Sequence, residues 1–201
     1  MQDRFRAIFV QPDETPGNKR AKFLSRLFGI FSEKIVDVWA SDERATYKGL
    51  GRPTLRFAGD VRGHTLDFTL QHRISGQIFV AEMKCEIEYQ NFRYFVLEKA
   101  GQLEHHTKPA FEAFLKAANT PTLATVQIAG KPIQIDGAIL IWGAIDTLAA
   151  ARIKLEVGLH EILSIEEICR DLATWKSEEY LKLVEQYRSW SNRLFDGLLL
   201  G

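Results

Sequence analysis

A continuous apolar run at residues 138–143, Ala-Ile-Leu-Ile-Trp-Gly, restricts the fold of this chain more than any other segment. Polar and apolar positions do not alternate in it, which predicts a strand buried on both faces of a parallel or mixed sheet. Helical periodicity over residues 18–40 and 102–118, and over most of 160–201, supplies helices to cover such a sheet. The pattern therefore predicts an α/β protein with a mixed central β-sheet flanked by helices.

Shorter segments predict the remaining strands. Turn-forming residues separate them, and the second segment alternates apolar Leu66, Phe68 and Leu70 with polar neighbours. Residues 123–128 and 132–135 around Gly130 predict a hairpin, and Ser164 with Glu167 predicts a helix N-terminus. The other predicted segments are strands at 54–57, 65–71 and 78–87, a loop at 47–53, and an aromatic run at 89–97 that fits either helix or strand.

The bulk composition is that of an ordinary soluble protein, and 201 residues suit a single domain. The 26 basic and 26 acidic residues balance, so no overall positive field favours nucleic acid. Cys85 and Cys169 lie in apolar segments and are predicted to be buried free thiols, as in a reducing cytoplasm. No signal-peptide core and no apolar run of membrane-spanning length is present, so we expect a cytoplasmic protein without membrane contact.

Two charged residues interrupt the apolar segment Ile78–Cys85. Glu82 and Lys84 are two positions apart in a predicted strand, so they share one face while Met83 points to the other. Burying charges there costs free energy unless they are paired or bind an ion. An acid-x-Lys triplet is expected by chance in a chain of this composition, so its surroundings must carry the argument.

The turn at residues 73–76 would bring Asp67 to the sheet face that carries Glu82 and Lys84. A two-residue loop at 74–75 pairs positions that sum to 149 and sets Asp67 opposite Glu82. A two-residue loop at 75–76 sets it opposite Lys84 instead. A three-residue loop would pair it with Met83, but would also put the apolar face of one strand on the charged face of the other. Asp67, Glu82 and Lys84 are therefore predicted to share one face.

Two carboxylates and a lysine so placed have a chemical use. Paired carboxylates hold Mg²⁺, which fills its coordination shell with water and substrate phosphate. A lysine beside the metal orients water or stabilises the phosphorus centre. A cluster of cross-strand ion pairs on a solvated sheet face explains the same residues about equally well.

These residues, and their order among the predicted elements, resemble the PD-(D/E)xK nuclease superfamily with its restriction-endonuclease-like fold. That core runs helix, three-stranded meander, helix, strand, with an acid on the second strand and an acid-x-Lys pair ending the third. The resemblance covers about residues 18–145, with helices appended over about 160–201. It implies a three-layer core in which Asp67 and Glu82 bind the metal and Lys84 is catalytic. Leu66 stands where the family's name-giving pattern has proline.

The resemblance implies further properties. It predicts Mg²⁺ or Mn²⁺ as cofactor, DNA phosphodiester hydrolysis as the reaction, and a homodimer as a plausible assembly. Members of the family often place another ligand on the first helix, where Glu33 is the candidate, although it lies opposite the main apolar stripe. The Met83 carbonyl would complete the metal shell.

The alternative is a non-catalytic nucleic-acid-binding or interaction module with the same fold, which the neutral net charge favours. A purely structural protein is the third possibility.

Weaker candidates are basic or polar residues near the predicted site. Arg52, Arg56 and Arg73 flank it and are predicted phosphate contacts. Lys19 and Arg20 begin the first helix, where a solvated face is the simpler interpretation. Gln102 is a candidate for facing the cleft. The neighbours His105 and His106 are predicted surface residues.

Overall fold

A mixed five-stranded sheet lies at the centre of the computed structural model, which describes residues 5–6, 19–85, 94–128 and 130–199. The helices are α1 (Lys19–Ser41), α2 (Pro109–Asn119), α3 (Thr147–Val157), α4 (Ile165–Thr174) and α5 (Glu178–Leu199). The strands are β1 (Tyr47–Gly51), β2 (Thr54–Phe57), β3 (His64–Thr65), β4 (Phe68–His72), β5 (Ile78–Lys84), β6 (Val96–Leu97), β7 (Ala124–Ile128), β8 (Lys131–Gln134), β9 (Gly137–Trp142), β10 (Ala144–Ile145) and β11 (Glu161–Ser164).

The central sheet has the strand order β1-β4-β5-β9-β11. β4 is antiparallel to both of its neighbours, whereas β9 is parallel to β5 on one side and to β11 on the other. All six residues of β9 are buried. The predictions of a mixed sheet and of a doubly buried strand at residues 138–143 are therefore confirmed.

Each face of this sheet has its own apolar core. On one face Phe79 and Ile139 pack with residues of α1 and α4, including Trp39 and Ile168. On the other face the core contains residues of α2, α3 and a second sheet. Representative members of this second core are Phe111, Ile153, Leu55, Val126, Val80 and Leu140. The predicted α/β architecture, a sheet between helical layers, is thus present.

The second sheet is antiparallel, in the order β3-β2-β7-β8. Its β7–β8 hairpin is the one predicted around Gly130, whose φ of +77° suits a tight turn. Residues 54–57 form a strand as predicted, but β2 pairs with β3 and β7 rather than in the central sheet. Their predicted place in the meander of the central sheet is therefore wrong.

The first strand of the meander in the central sheet is instead β1, at residues 47–51, where the sequence predicted a loop. Its glycines explain the error, because Gly49 and Gly51 disfavour a regular strand. The structure accommodates them with an irregularity between these two residues and a φ of +98° at Gly51. β1 is an edge strand, so one side needs no further pairing.

The predicted strand at residues 65–71 is two strands in two sheets. The chain bends at Leu66 and Asp67, between β3 and β4, and the Leu66 amide donates to the Pro53 carbonyl at 3.3 Å. Leu66 consequently packs in the second core while Phe68 and Leu70 pack in the first, contrary to the single apolar face that was predicted. β5 begins at Ile78 as predicted, and the last predicted positions, 86–87, lie outside the described residues.

The helical predictions hold with two corrections. α2 begins only at Pro109, because proline has no amide hydrogen and is favoured in a first turn; the preceding residues Ala100–Leu103 form one turn of 3₁₀ helix. The predicted helical extension at 160–201 contains β11, a fifth strand of the central sheet. Ser164 begins α4 as predicted, since its Oγ accepts the Glu167 amide at 3.0 Å. Most of the aromatic run at 89–97 lies outside the described residues.

Cys85 and Cys169 are partly buried and form no disulfide. Burial raises the pKa of the Cys169 thiol to about 11, so it is inert at neutral pH. None of the helices in the described ranges is both long and apolar enough to span a membrane.

Candidate metal and catalytic site

The β4–β5 hairpin has one closed end and one open end. At the closed end the His72 amide donates to the Gln77 carbonyl at 2.9 Å, around a four-residue turn. Phe68 lies opposite Ala81, so paired positions sum to 149. This is one of the two predicted registers, reached with a longer turn than predicted. Continued by one residue beyond the paired region, it sets Asp67 beside Glu82 at the open end.

Asp67 lies in the bend just before β4 and is held from two sides. Its Oδ2 accepts the Met83 amide at 2.8 Å, which ties the bend to the acid-x-Lys segment on β5. Its Oδ1 lies 3.3 Å from Arg52 Nη2, while Arg52 Nε donates to the Leu66 carbonyl at 3.2 Å. The Asp67 side chain is 15% exposed. It is thus sheltered yet open to a small ligand.

Glu82 is buried, with 7% of the residue exposed. It follows the apolar first half of β5. One carboxylate oxygen, Oε1, accepts from Lys84 Nζ. The other, Oε2, is buried, and no donor in the described part of the chain meets hydrogen-bond geometry with it. The Asp67 main-chain amide nevertheless lies near enough to the Glu82 carboxyl to lower its pKa. Burial raises the pKa of Glu82 above its usual value and the Asp67 charge raises it further, while the Lys84 charge lowers it.

Lys84 is fixed by three contacts. Besides Glu82, its ammonium donates to the Met83 carbonyl at 3.3 Å and lies 5.3 Å from the centre of the Phe111 ring on α2. The ammonium therefore touches two oxygen atoms, Glu82 Oε1 and Met83 O, that were predicted as metal ligands. Phe111 could not be predicted as a neighbour of Lys84, because only the packing of α2 on the sheet brings it there.

Glu33 lies on α1 and lines the same cleft as Asp67. The cleft has a volume of about 410 Å³, and its wall includes Arg52, Gly49 and Gly51. Glu33 is half-buried. Glycines in β1 carry no side chains to fill this space, and a Cβ added at Gly51 would meet no atom within 4 Å. The face of α1 that bears Glu33 therefore borders the cleft.

The other predicted basic residues are scattered. Arg73 lies at the closed end of the hairpin, six residues or roughly 20 Å of strand from Asp67, and its Nη2 donates to the carbonyls of Ala40 and Asp42 at 3.1 and 2.8 Å. Arg56 is exposed on β2 in the second sheet. The side chains of Lys19 and Arg20 lie outside the described part. The position of Arg73 does not support a phosphate contact at the proposed site. For Arg56, Lys19 and Arg20, phosphate contact stays a prediction.

The polar residues before α2 are structural. Gln102 is 2% exposed; its Oε1 accepts the amides of Glu98 and Lys99, and its Nε2 donates to the Val96 carbonyl, so it does not face the cleft. The predicted surface residues His105 and His106 are half-buried, and their ring centres lie 4.1 Å apart with the rings tilted by 37°. His106 also packs against Phe111.

In the described part of the chain, no three His, Cys, Asp or Glu side chains converge as a metal-binding group. Asp67 and Glu82 form a pair, and Mg²⁺ is commonly held by one or two protein carboxylates.

No protein-family model matches this chain, and no curated protein or solved structure shows significant similarity to it.

Proposed function

We propose that this protein is a Mg²⁺-dependent nuclease that hydrolyses phosphodiester bonds in DNA. The proposal rests on one observation above all. Asp67, Glu82 and Lys84 meet at the open end of the β4–β5 hairpin, where the buried Glu82 Oε2 has no donor in hydrogen-bond geometry among the described residues. A fully structural ion-pair cluster has no need of such an oxygen, since an unpaired buried acceptor costs about 1–3 kcal/mol.

The order of the elements supports the proposal. α1 precedes an antiparallel meander of β1, β4 and β5 in the central sheet, and α2 and β9 follow. This is the helix, meander, helix, strand order of the PD-(D/E)xK superfamily. Asp67 lies at the start of the second meander strand and Glu82-Met83-Lys84 ends the third. The restriction-endonuclease-like fold is therefore part of the proposal.

The donor atoms at this end suit a hard divalent cation. Asp67, Glu82 and the Met83 carbonyl offer oxygen ligands. Glu33 shares a cleft with Asp67, but neither Glu82 nor Lys84 lines that cleft, so a ligand role for Glu33 stays a prediction. Mg²⁺ or Mn²⁺ bound there would supply a water of lowered pKa and neutralise charge on the phosphodiester. The buried Glu82 Oε2, which has no donor in hydrogen-bond geometry among the described residues, would then coordinate the metal.

Two cations of the chain itself occupy the carboxylates, Arg52 at Asp67 and Lys84 at Glu82. Arg52 and Lys84 could each contact the substrate once a metal ion has displaced them from these carboxylates. Lys84 is fixed by Phe111, so its ammonium stays near the acids and can orient the attacking water or accept charge from the phosphate. The Arg52 side chain is 60% exposed and can swing towards a backbone phosphate.

The test combines metal titration with DNA cleavage. Calorimetric titration with Mg²⁺ or Mn²⁺ should show binding that both Asp67→Ala and Glu82→Ala abolish. Plasmid and branched DNA should be cut only with metal, and Lys84→Ala should stop cleavage while metal still binds. Glu43→Ala, an exposed acid far along the chain from the site, is the control and should behave as wild type.

Three results would count against the proposal. Metal binding that survives both acid substitutions would remove the site. Metal and DNA binding without cleavage would favour the non-catalytic module. If neither metal nor DNA binds, the residues form a structural ion-pair cluster.

A further inference from the structure

An apolar surface covers the outer sides of two neighbouring helices and includes none of Asp67, Glu82 and Lys84. On α1 it contains Phe23, Leu27 and Ile30, which are 53%, 42% and 64% exposed. On α5 it contains Trp190, Leu194 and Leu198, which are 47%, 62% and 71% exposed. We refer to these six residues as the helix-pair face.

The two groups are adjacent. Tyr180 and Val184 of α5 line an apolar pocket with residues of α1, and the Tyr187 ring lies 5.1 Å from the Phe31 ring. The Tyr187 ring in turn lies 5.3 Å from Trp190. Tyr180, Val184 and Tyr187 follow helical spacing and contact or face α1, and Leu194 and Leu198 continue the same stripe in the second half of α5, where they are exposed; Trp190 lies beside the stripe.

This surface is larger than a monomer needs. Six such side chains at these exposures leave on the order of 700 Å² of apolar surface, against about 300–600 Å² for the largest patch on a typical monomer. Each partner in a protein–protein interface of standard size contributes about 800 Å². The helix-pair face alone therefore supplies nearly one side of a stable interface.

The charges of α5 indicate which partner fits. From Glu178 to Glu185 the exposed charges are three glutamates and one lysine; from Arg188 to Asp196 they are two arginines and one aspartate. One end is thus net acidic and the other net basic. A second α5 running antiparallel would place acid against base at both ends, as a two-fold axis requires of a self-complementary surface.

We propose that the helix-pair face is the interface of a homodimer in which α5 packs antiparallel to α5 of a second copy. The proposal is independent of the nuclease activity, because the face shares no residue with the carboxylate site. Burial of the six apolar side chains stabilises the dimer, and the end-to-end charge difference of α5 sets its orientation.

The first test measures the mass of the full-length chain in solution by sedimentation equilibrium. Wild type should be a dimer. Ile30→Glu and Leu194→Glu should each weaken association by about 30-fold or more, since each would bury an unpaired charge in the interface. Leu148→Glu is the matched control, because Leu148 is 91% exposed on α3, and should remain a dimer. Circular dichroism should show that all three variants are folded.

The second test examines orientation. Arg188→Glu/Arg193→Glu makes α5 acidic throughout, and Glu179→Lys/Glu185→Lys makes it basic throughout; each should dimerise at least tenfold more weakly than wild type. Mixed together, the two variants should form a heterodimer of near wild-type affinity. A wild-type chain that is monomeric up to about 100 μM, or a dimer unaffected by Ile30→Glu and Leu194→Glu, would overturn the proposal.

Discussion

The two ends of the β4–β5 hairpin both hold polar side chains, but these groups have different partners. At the closed end Arg73 donates to two main-chain carbonyls, and Asp136 accepts the Ile78 amide at 2.6 Å. At the open end Asp67 also accepts one main-chain amide, that of Met83, but its other oxygen and the Glu82 carboxylate contact the side chains of Arg52 and Lys84. Main-chain partners cannot leave without local unfolding, whereas ion-pair partners can exchange for a ligand. We infer that the closed end serves stability and the open end serves binding.

The largest expected effect is on activity at the open end. Lys84→Met should lower DNA cleavage by about 10²–10⁴-fold, because it removes the ammonium group that is proposed to orient the attacking water or to stabilise charge on the phosphate. Metal affinity, measured by calorimetry, should persist. The matched control is Lys116→Met, since Lys116 Nζ also lies over an aromatic ring, that of Phe57, at 4.1 Å. Equal loss in both variants would show that the effect is structural.

At the closed end the effect should be on stability instead. Arg73→Met removes charge-assisted hydrogen bonds to the end of α1 and should lower the free energy of unfolding by about 2–3 kcal/mol. Urea denaturation measures this change. Metal affinity of the folded variant should equal that of wild type. If Arg73→Met also abolished metal binding, the two ends would not be independent.

The pH dependence separates the two ends further. Because the folded pKa of Glu82 is raised above 4.5, its protonated form is favoured in the fold, and its contribution to stability is lost as pH rises through that pKa. Metal affinity should increase over the same pH range, since the ligand is the carboxylate. Glu82→Gln should remove this pH dependence from the free energy of unfolding and from the metal affinity. An unchanged difference between the wild-type and variant unfolding curves across that range would contradict the assignment.

The smallest expected effect concerns Arg52. Its guanidinium is mostly exposed where it pairs with Asp67, so Arg52→Ala should change the free energy of unfolding by less than about 1 kcal/mol. Metal affinity should rise by about two- to fivefold, because a competing cation has been removed. Calorimetry with Mn²⁺ measures the change, and the exposed Arg62→Ala is the control. A fall in affinity would mean that Arg52 positions Asp67 rather than competing for it.

Much of the fold follows from local patterns. The apolar run at 138–143 predicted the buried strand β9, and the periodicity of residues 178–199 predicted α5. The turn at 73–76 predicted the hairpin with two alternative registers, one of which is observed. These features depend on side-chain alternation and turn chemistry, which are properties of neighbouring residues. The chain therefore determines by itself that Asp67, Glu82 and Lys84 lie on one hairpin.

Sheet membership and the surroundings of the site were decided by tertiary structure. Residues 47–51 became an edge strand of the central sheet despite Gly49 and Gly51, because pairing with β4 outweighs their weak local preference. Residues 54–57, a better local strand, joined the second sheet. The bend at Asp67, the Phe111 ring beside Lys84 and the burial of Glu82 all arise from contacts between distant segments. Such contacts are set by the packing of whole layers, which no local pattern records.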